Sequence, residues 1–227
     1  MKPPRYSSIE LLGALGLLFL TAPFVEDLPH GDFMEAVLLT VVMVSAVIAV
    51  GGRRKSLVIA LLLVAPALAG KWLNHLHPEL LPPAIFLTAS VAFFGFVIAR
   101  LLAYVVRARQ VDANVLCAGI SGFLITGLAW APAYLAVARL NPAAFNLPVP
   151  PGGGTAVMDS FSAFYFSFIT LCTVGYGDIA PVSKVARMLA LLEAITGLFY
   201  MAVLISRLVS LHASSQSAPP VAAPPRD

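Results

Sequence analysis

Thr173-Val174-Gly175-Tyr176-Gly177-Asp178 is the stretch of this chain whose residue types and spacing could do chemistry. Two glycines stand one residue apart, a hydroxyl residue lies two places before the first, and a carboxylate follows the second. Glycine adopts backbone conformations that a Cβ makes costly, so successive carbonyls here can be turned to one side. A row of carbonyls can replace the water around a dehydrated cation, and the Thr173 hydroxyl adds one more oxygen at the end of the row. One chain supplies one strand of oxygens, whereas a bare cation needs them on all sides. Copies of the chain must therefore surround a common axis. Val174 and Tyr176, each next to a glycine, then point away from that axis and wedge the strand.

The stretch resembles the selectivity filter of the potassium channels, written TVGYG, and Thr170 extends the match to the wider pattern T-x-x-T-V-G-Y-G-D. The likeness runs over about residues 113–211 in the order outer helix, Pro/Gly-rich turret, pore helix, filter, inner helix. It implies a homotetramer that conducts K⁺ passively, with K⁺ held at Thr173, Val174, Gly175 and Tyr176. No other cofactor and no nucleic acid is implied, and lipid surrounds the assembly. Tyr176 is expected to pack on Tyr165 and Phe166 of the pore helix, with Thr170 and Cys172 as further support. The family often places a Glu in the pore helix to pair with the Asp after the filter; here that place holds Ile169. The C-terminus of the pore helix, near Leu171 and Cys172, is expected to aim at a central cavity, where its dipole puts about half a negative charge. A potassium transporter subunit would carry four such loops in one chain, and this chain has one. A scaffold or enzyme built on the first four spans would need a catalytic cluster there, and no such cluster of His, Asp or Ser appears. A non-selective pore is opposed by Tyr176.

The elements that must position this loop belong to a membrane. The chain is 59% hydrophobic and 11% charged, with a mean hydropathy of +0.91; a soluble domain carries about 25% charge. Its net charge of +3 comes from short basic clusters between apolar runs, which is how membrane topology is written rather than nucleic-acid binding. A spanning helix takes about 20 apolar residues, and six stretches qualify: Ile9–Val25, Phe33–Val50, Ser56–Trp72, Pro83–Val106, Ala113–Arg139 and Val182–Leu211. The first, with Lys2 and Arg5 before it, has the alternative reading of a signal peptide, although no small-x-small cleavage site follows it. Between the fifth and sixth spans, Asn141–Gly154 reads as loop. Asp159 or Ser160 then caps a helix of about a dozen residues, too short to cross and so re-entrant. The expected fold is an all-α membrane protein: four peripheral helices over residues 1–110, a pore domain over 111–212, and a disordered cytoplasmic tail over 213–227. Ten of the 14 Lys and Arg fall on the side of the N-terminus, against Lys71, Arg139, Lys184 and Arg187 on the other. Both termini are thus expected in the cytoplasm, with the filter loop entering from outside.

On the inner helix, Ala194, Leu198, Met201, Ile205 and Val209 form one stripe, assigned to the pore lining against the alternative of a lipid-facing or packing stripe. Gly197 resembles the family's hinge glycine and equally suits close helix packing. Glu193 is an acid deep in a span, which must be bonded, paired or protonated. Its expected partners are Ser167 or Thr170, as a strut behind the filter, with a titrating gate as the alternative. Arg100, Arg107 and Arg109 crowd the cytoplasmic end of the fourth span, so strong voltage sensing is not expected. About 16 residues follow the last span, too few for a ligand-binding domain. His75 and His77 read as exposed loop histidines, with an outside metal or proton site as the alternative. Cys117 and Cys172 read as free thiols.

Overall fold

Apolar runs flanked by polar or Gly/Pro residues become helices because a chain in lipid must satisfy its backbone internally. A computed structural model describes residues 8–25, 31–52, 54–76, 83–110, 112–148 and 156–216. In chain order these form α1 (Ser8–Val25), α2 (Gly31–Val50), α3 (Arg54–Leu76), α4 (Pro83–Arg107) and α5 (Ala113–Leu140). Then come β1 (Phe145–Asn146), α6 (Ser160–Leu171), β2 (Ala180–Pro181) and α7 (Lys184–Gln216). Six of these helices are long and apolar enough to cross a membrane, within a few residues of the expected bounds. Twelve-residue α6 is the exception: at about 1.5 Å per residue it reaches only about 18 Å.

Two differences follow from local chemistry. The inner helix does not stop at Leu211: α7 continues through Gln216, so residues 213–216, expected in the disordered tail, are helical. No Gly or Pro interrupts the chain there. The rest of that tail, residues 217–227, lies outside the described residues, as do His77 and the His75 side chain. Of the expected loop 141–154, residues 149–154 lie outside the described residues, and residues 141–148 hold more regular structure than their composition implies. Asn141 caps a 3-10 turn over Pro142–Ala144, its side chain accepting from Ala143 N at 3.1 Å. β1 then pairs antiparallel with β2, Phe145 opposite Pro181, and Val182 N donates to Ala144 O at 2.8 Å. The two chain segments flanking the pore helix and filter are thereby clipped together.

α5 is the axis of the packing. It lies along α4 and also touches α1, α6 and α7. Accordingly 61% of its apolar span is buried, against 22% of the span in α7. The peripheral helices are not a separate body. One continuous core joins Leu11 and Leu15 of α1, Val47 of α2, Val64 of α3, Phe93 of α4, Ile125 of α5 and Leu204 of α7. α1 even reaches the pore helix, where the Phe19 ring meets Phe164 and Phe168 edge-on at 4.9 and 4.8 Å. Between α2 and α3, Lys71 and Glu35 form a half-buried ion pair at 2.8 Å.

Candidate functional site

The site is built from the pore helix outward. Asp159 is the N-cap of α6, its side chain accepting from Ser162 N at 2.7 Å and satisfying a donor the first turn leaves free. At the other end, the last carbonyls of the helix are taken up by the segment that follows. Cys172 N donates to Phe168 O at 3.0 Å, Thr173 N to Thr170 O at 2.9 Å, and Val174 N and Gly175 N both to Ile169 O at 2.8 and 3.2 Å. Four successive N–H groups therefore point back at the helix. With its donors anchored on one side, this strand has its carbonyls free for the other.

The backbone angles fit that arrangement. Thr173, Gly175 and Gly177 have φ of 57°, 57° and 84°, so every second residue is left-handed. Alternation of this kind turns consecutive peptide planes in step. Glycine takes such angles freely, but a β-branched residue does not. Thr173 is the one described non-glycine with positive φ, and its strain was not legible in the sequence. A Cβ at Gly175 or Gly177 would meet nothing within 4 Å, so the glycines serve conformation and not space. Thr173, Val174, Gly175, Tyr176, Gly177 and Asp178 are all exposed on the flank of the single chain.

The expected aromatic packing is different in detail. Phe166 is buried and turned away from the filter, with its ring against Tyr134 at 4.8 Å and Phe145 at 5.6 Å. Tyr176 is 75% exposed, so within one protomer it is not wedged on Phe166. The reason is register: Phe166 falls on the α5 side of the helix, one residue from the filter-facing Tyr165. Tyr165 lies near enough to Asp178 to sense its charge. Ile169, at the place where the resemblance would put a Glu, is buried among apolar groups.

α7 packs on this assembly through Ala186, Glu193, Gly197, Tyr200 and Leu204. Of these, a Cβ on Gly197 would collide with the Leu171 carbonyl oxygen. That backbone contact is the close-packing alternative for Gly197. It also aims the last pore-helix carbonyl at α7. Leu198, Met201, Ile205 and Val209 stand exposed on the chain's surface, and Ala194 is half-buried beside them. Glu193 is fully buried. Its Oε1 lies 2.5 Å from Ser167 Oγ, and its Oε2 accepts from the Tyr134 hydroxyl. Ser167 was among the partners expected from sequence; Tyr134 was not, although a phenol inside an apolar span needs a partner. Cys117 and Cys172 are free thiols. At the far end of α7, Arg207 Nη2 donates to Ala108 O at 2.6 Å and so holds the end of α4.

Comparison with known proteins bears on this half of the chain. Residues 122–213 match the ion-channel family. Two-pore potassium channel 4 of Arabidopsis thaliana is 40% identical over 57 residues, 25% of this chain and 20% of its own length. The voltage-gated potassium channel Kch of Escherichia coli (strain K12) is 54% identical over 37 residues, 16% of this chain and 9% of its own length. The calcium-gated potassium channel TvoK of Thermoplasma volcanium is 40% identical over 42 residues, 18% of this chain and 12% of its own length. The aligned stretches thus span a fifth or less of these relatives. No solved structure matches the chain significantly. With its strand of alternating positive φ, its short apolar helix and the long apolar helices on either side, the segment 122–213 is similar to the ion-channel family, and the relatives it resembles are potassium channels.

Proposed function

We propose that the protein is a subunit of a homotetrameric channel that conducts K⁺ selectively and passively across a cell membrane. The observation that carries this reading is the strand from Thr173 to Gly177. The N–H groups of Thr173, Val174 and Gly175 are tied to the short helix before it, its φ is positive at every second residue, and it lies open on the surface of the chain. Carbonyls in that state complete no coordination shell alone. Four copies about an axis supply the rings of oxygen that replace an ion's water. K⁺ is then held between the oxygens of Thr173, Val174, Gly175 and Tyr176, while Leu198, Met201, Ile205, Val209 and Ala194 line the water-filled path beyond. The exposed Tyr176 ring packs on a neighbouring copy. Both termini lie in the cytoplasm and the filter opens outward. Purified protein in planar bilayers tests the reading: the reversal potential follows the K⁺ gradient and ignores Na⁺. Equal permeability to the two ions overturns it.

A further inference from the structure

The contacts around Glu193 need one more hydrogen than they hold when its carboxylate is ionised. Ser167 Oγ lies 2.8 Å from Gly127 O and 2.5 Å from Glu193 Oε1. A serine hydroxyl has one hydrogen, a carbonyl only accepts, and an ionised carboxylate only accepts. With Glu193 ionised, Ser167 can serve one of the two, and the other contact sets lone pair against lone pair. With a proton on Oε1, every contact is a bond. Tyr134 then donates to Oε2, Glu193 donates to Ser167, and Ser167 donates to Gly127 O.

The surroundings favour the neutral form. Glu193 is fully buried inside one protomer, so no second copy can reach it. The groups facing it are Tyr134 from α5 and Ser167 from α6, with the Cys172 thiol at the end of α6 the next titratable group to sense its charge. The ion pair of Lys71 with Glu35 joins α2 to α3, and no cation among the described residues pairs with Glu193. A charge held this deep without one is costly.

We infer that Glu193 carries a proton in this arrangement and acts as a positioning residue, closing a chain of three hydrogen bonds that fixes the pore helix between α5 and α7. The inference rests on the channel reading for its consequence, though not for the proton itself. Two residues beyond Ser167, Ile169 O receives the N–H groups of Val174 and Gly175, so a shift of α6 is passed directly to the filter. Loss of the proton turns the Ser167 hydrogen toward the carboxylate and leaves Gly127 O facing a lone pair. The link from α6 to α5 then breaks. The chain is complete while Glu193 is protonated and is lost as pH rises through its ionisation.

Infrared spectroscopy of the protein in lipid reads the proton without reference to current. At neutral pH the wild type shows the carbonyl stretch of a protonated carboxyl, lost in Glu193→Gln and kept in Glu35→Gln. Ser167→Ala retains the band but shifts it, because the acid loses its acceptor. Identical spectra of wild type and Glu193→Gln in that region overturn the inference. Recording at rising pH reads the positioning: open probability of the wild type falls severalfold, while that of Glu193→Gln, whose amide donates to Ser167 and cannot ionise, does not. The same alkaline decline in both removes the positioning role. A carboxyl band in a protein that passes no K⁺ at any pH upholds the proton and overturns the channel reading instead.

Discussion

Single residues in this protein act mainly through what their backbones are allowed to do. Gly175 has φ of 57° and open space around the position of a Cβ. Gly175→Ala therefore meets no clash within the protomer, and its cost is the left-handed conformation, about 1–2 kcal/mol per strand. That is too little to unfold the chain but enough to turn the peptide plane in each copy. The expected outcome is a variant that assembles like the wild type by size-exclusion chromatography and passes no measurable K⁺ current; normal current through it defeats the carbonyl assignment. Thr173 accepts similar strain with a β-branched side chain, a cost that persists only where surroundings over-determine the backbone. Its N–H is held by Thr170 O, and so the pore helix supplies that constraint.

At the level of elements, the question is what holds α7 against the pore helix. Gly197 lets the Leu171 carbonyl approach, and the oxygen it would strike belongs to backbone, which cannot swing aside as a side chain can. Gly197→Ala forces α7 off α6 and is expected to cost about 1–3 kcal/mol, as overpacking does. The check is a thermal melt of the purified protein beside channel recordings. An alanine variant with unchanged melting and altered opening alone returns Gly197 to the role of hinge.

The whole molecule joins the part that bears the strand Thr173–Gly177 to four further helices, and two predictions belong at this scale. First, the exposed filter strand and the largely unburied α7 call for a tetramer. Native mass spectrometry from detergent should give four chains, and a conducting monomer ends that argument. Second, moving one elementary charge through the membrane is worth about 2.3 kcal/mol per 100 mV, so steep voltage gating needs several mobile charges. On α4 the basic residues are Arg100 and Arg107, at its last turns, with Arg109 just beyond. The one described ion pair within the peripheral helices, Glu35 with Lys71, does not involve them. A shallow conductance–voltage relation is expected. A curve as steep as a dedicated voltage-gated channel's would assign α4 a sensing role.

Much of this was legible in the chain because membrane helices and filters are written locally. A run of about 20 apolar residues has few ways to satisfy its backbone in lipid, so Phe33–Val50 becomes α2 whatever surrounds it. Gly175 and Gly177 likewise announce the angles they adopt. The segment over Ser160–Leu171 was readable as a short helix because Asp159 caps it and its length forbids crossing. What sequence left open depended on which faces meet. Glu193 had Ser167 or Thr170 as candidate partners, and only the packing of α5, α6 and α7 brings in Tyr134, 59 positions away in the chain. Phe166 turned to Tyr134 and Phe145 because of rotational register about α6. No local spacing sets that register. The placement of α1 against the pore helix through Phe19 is of the same kind: hydropathy says that a helix spans, while side-chain packing decides beside which helix it stands.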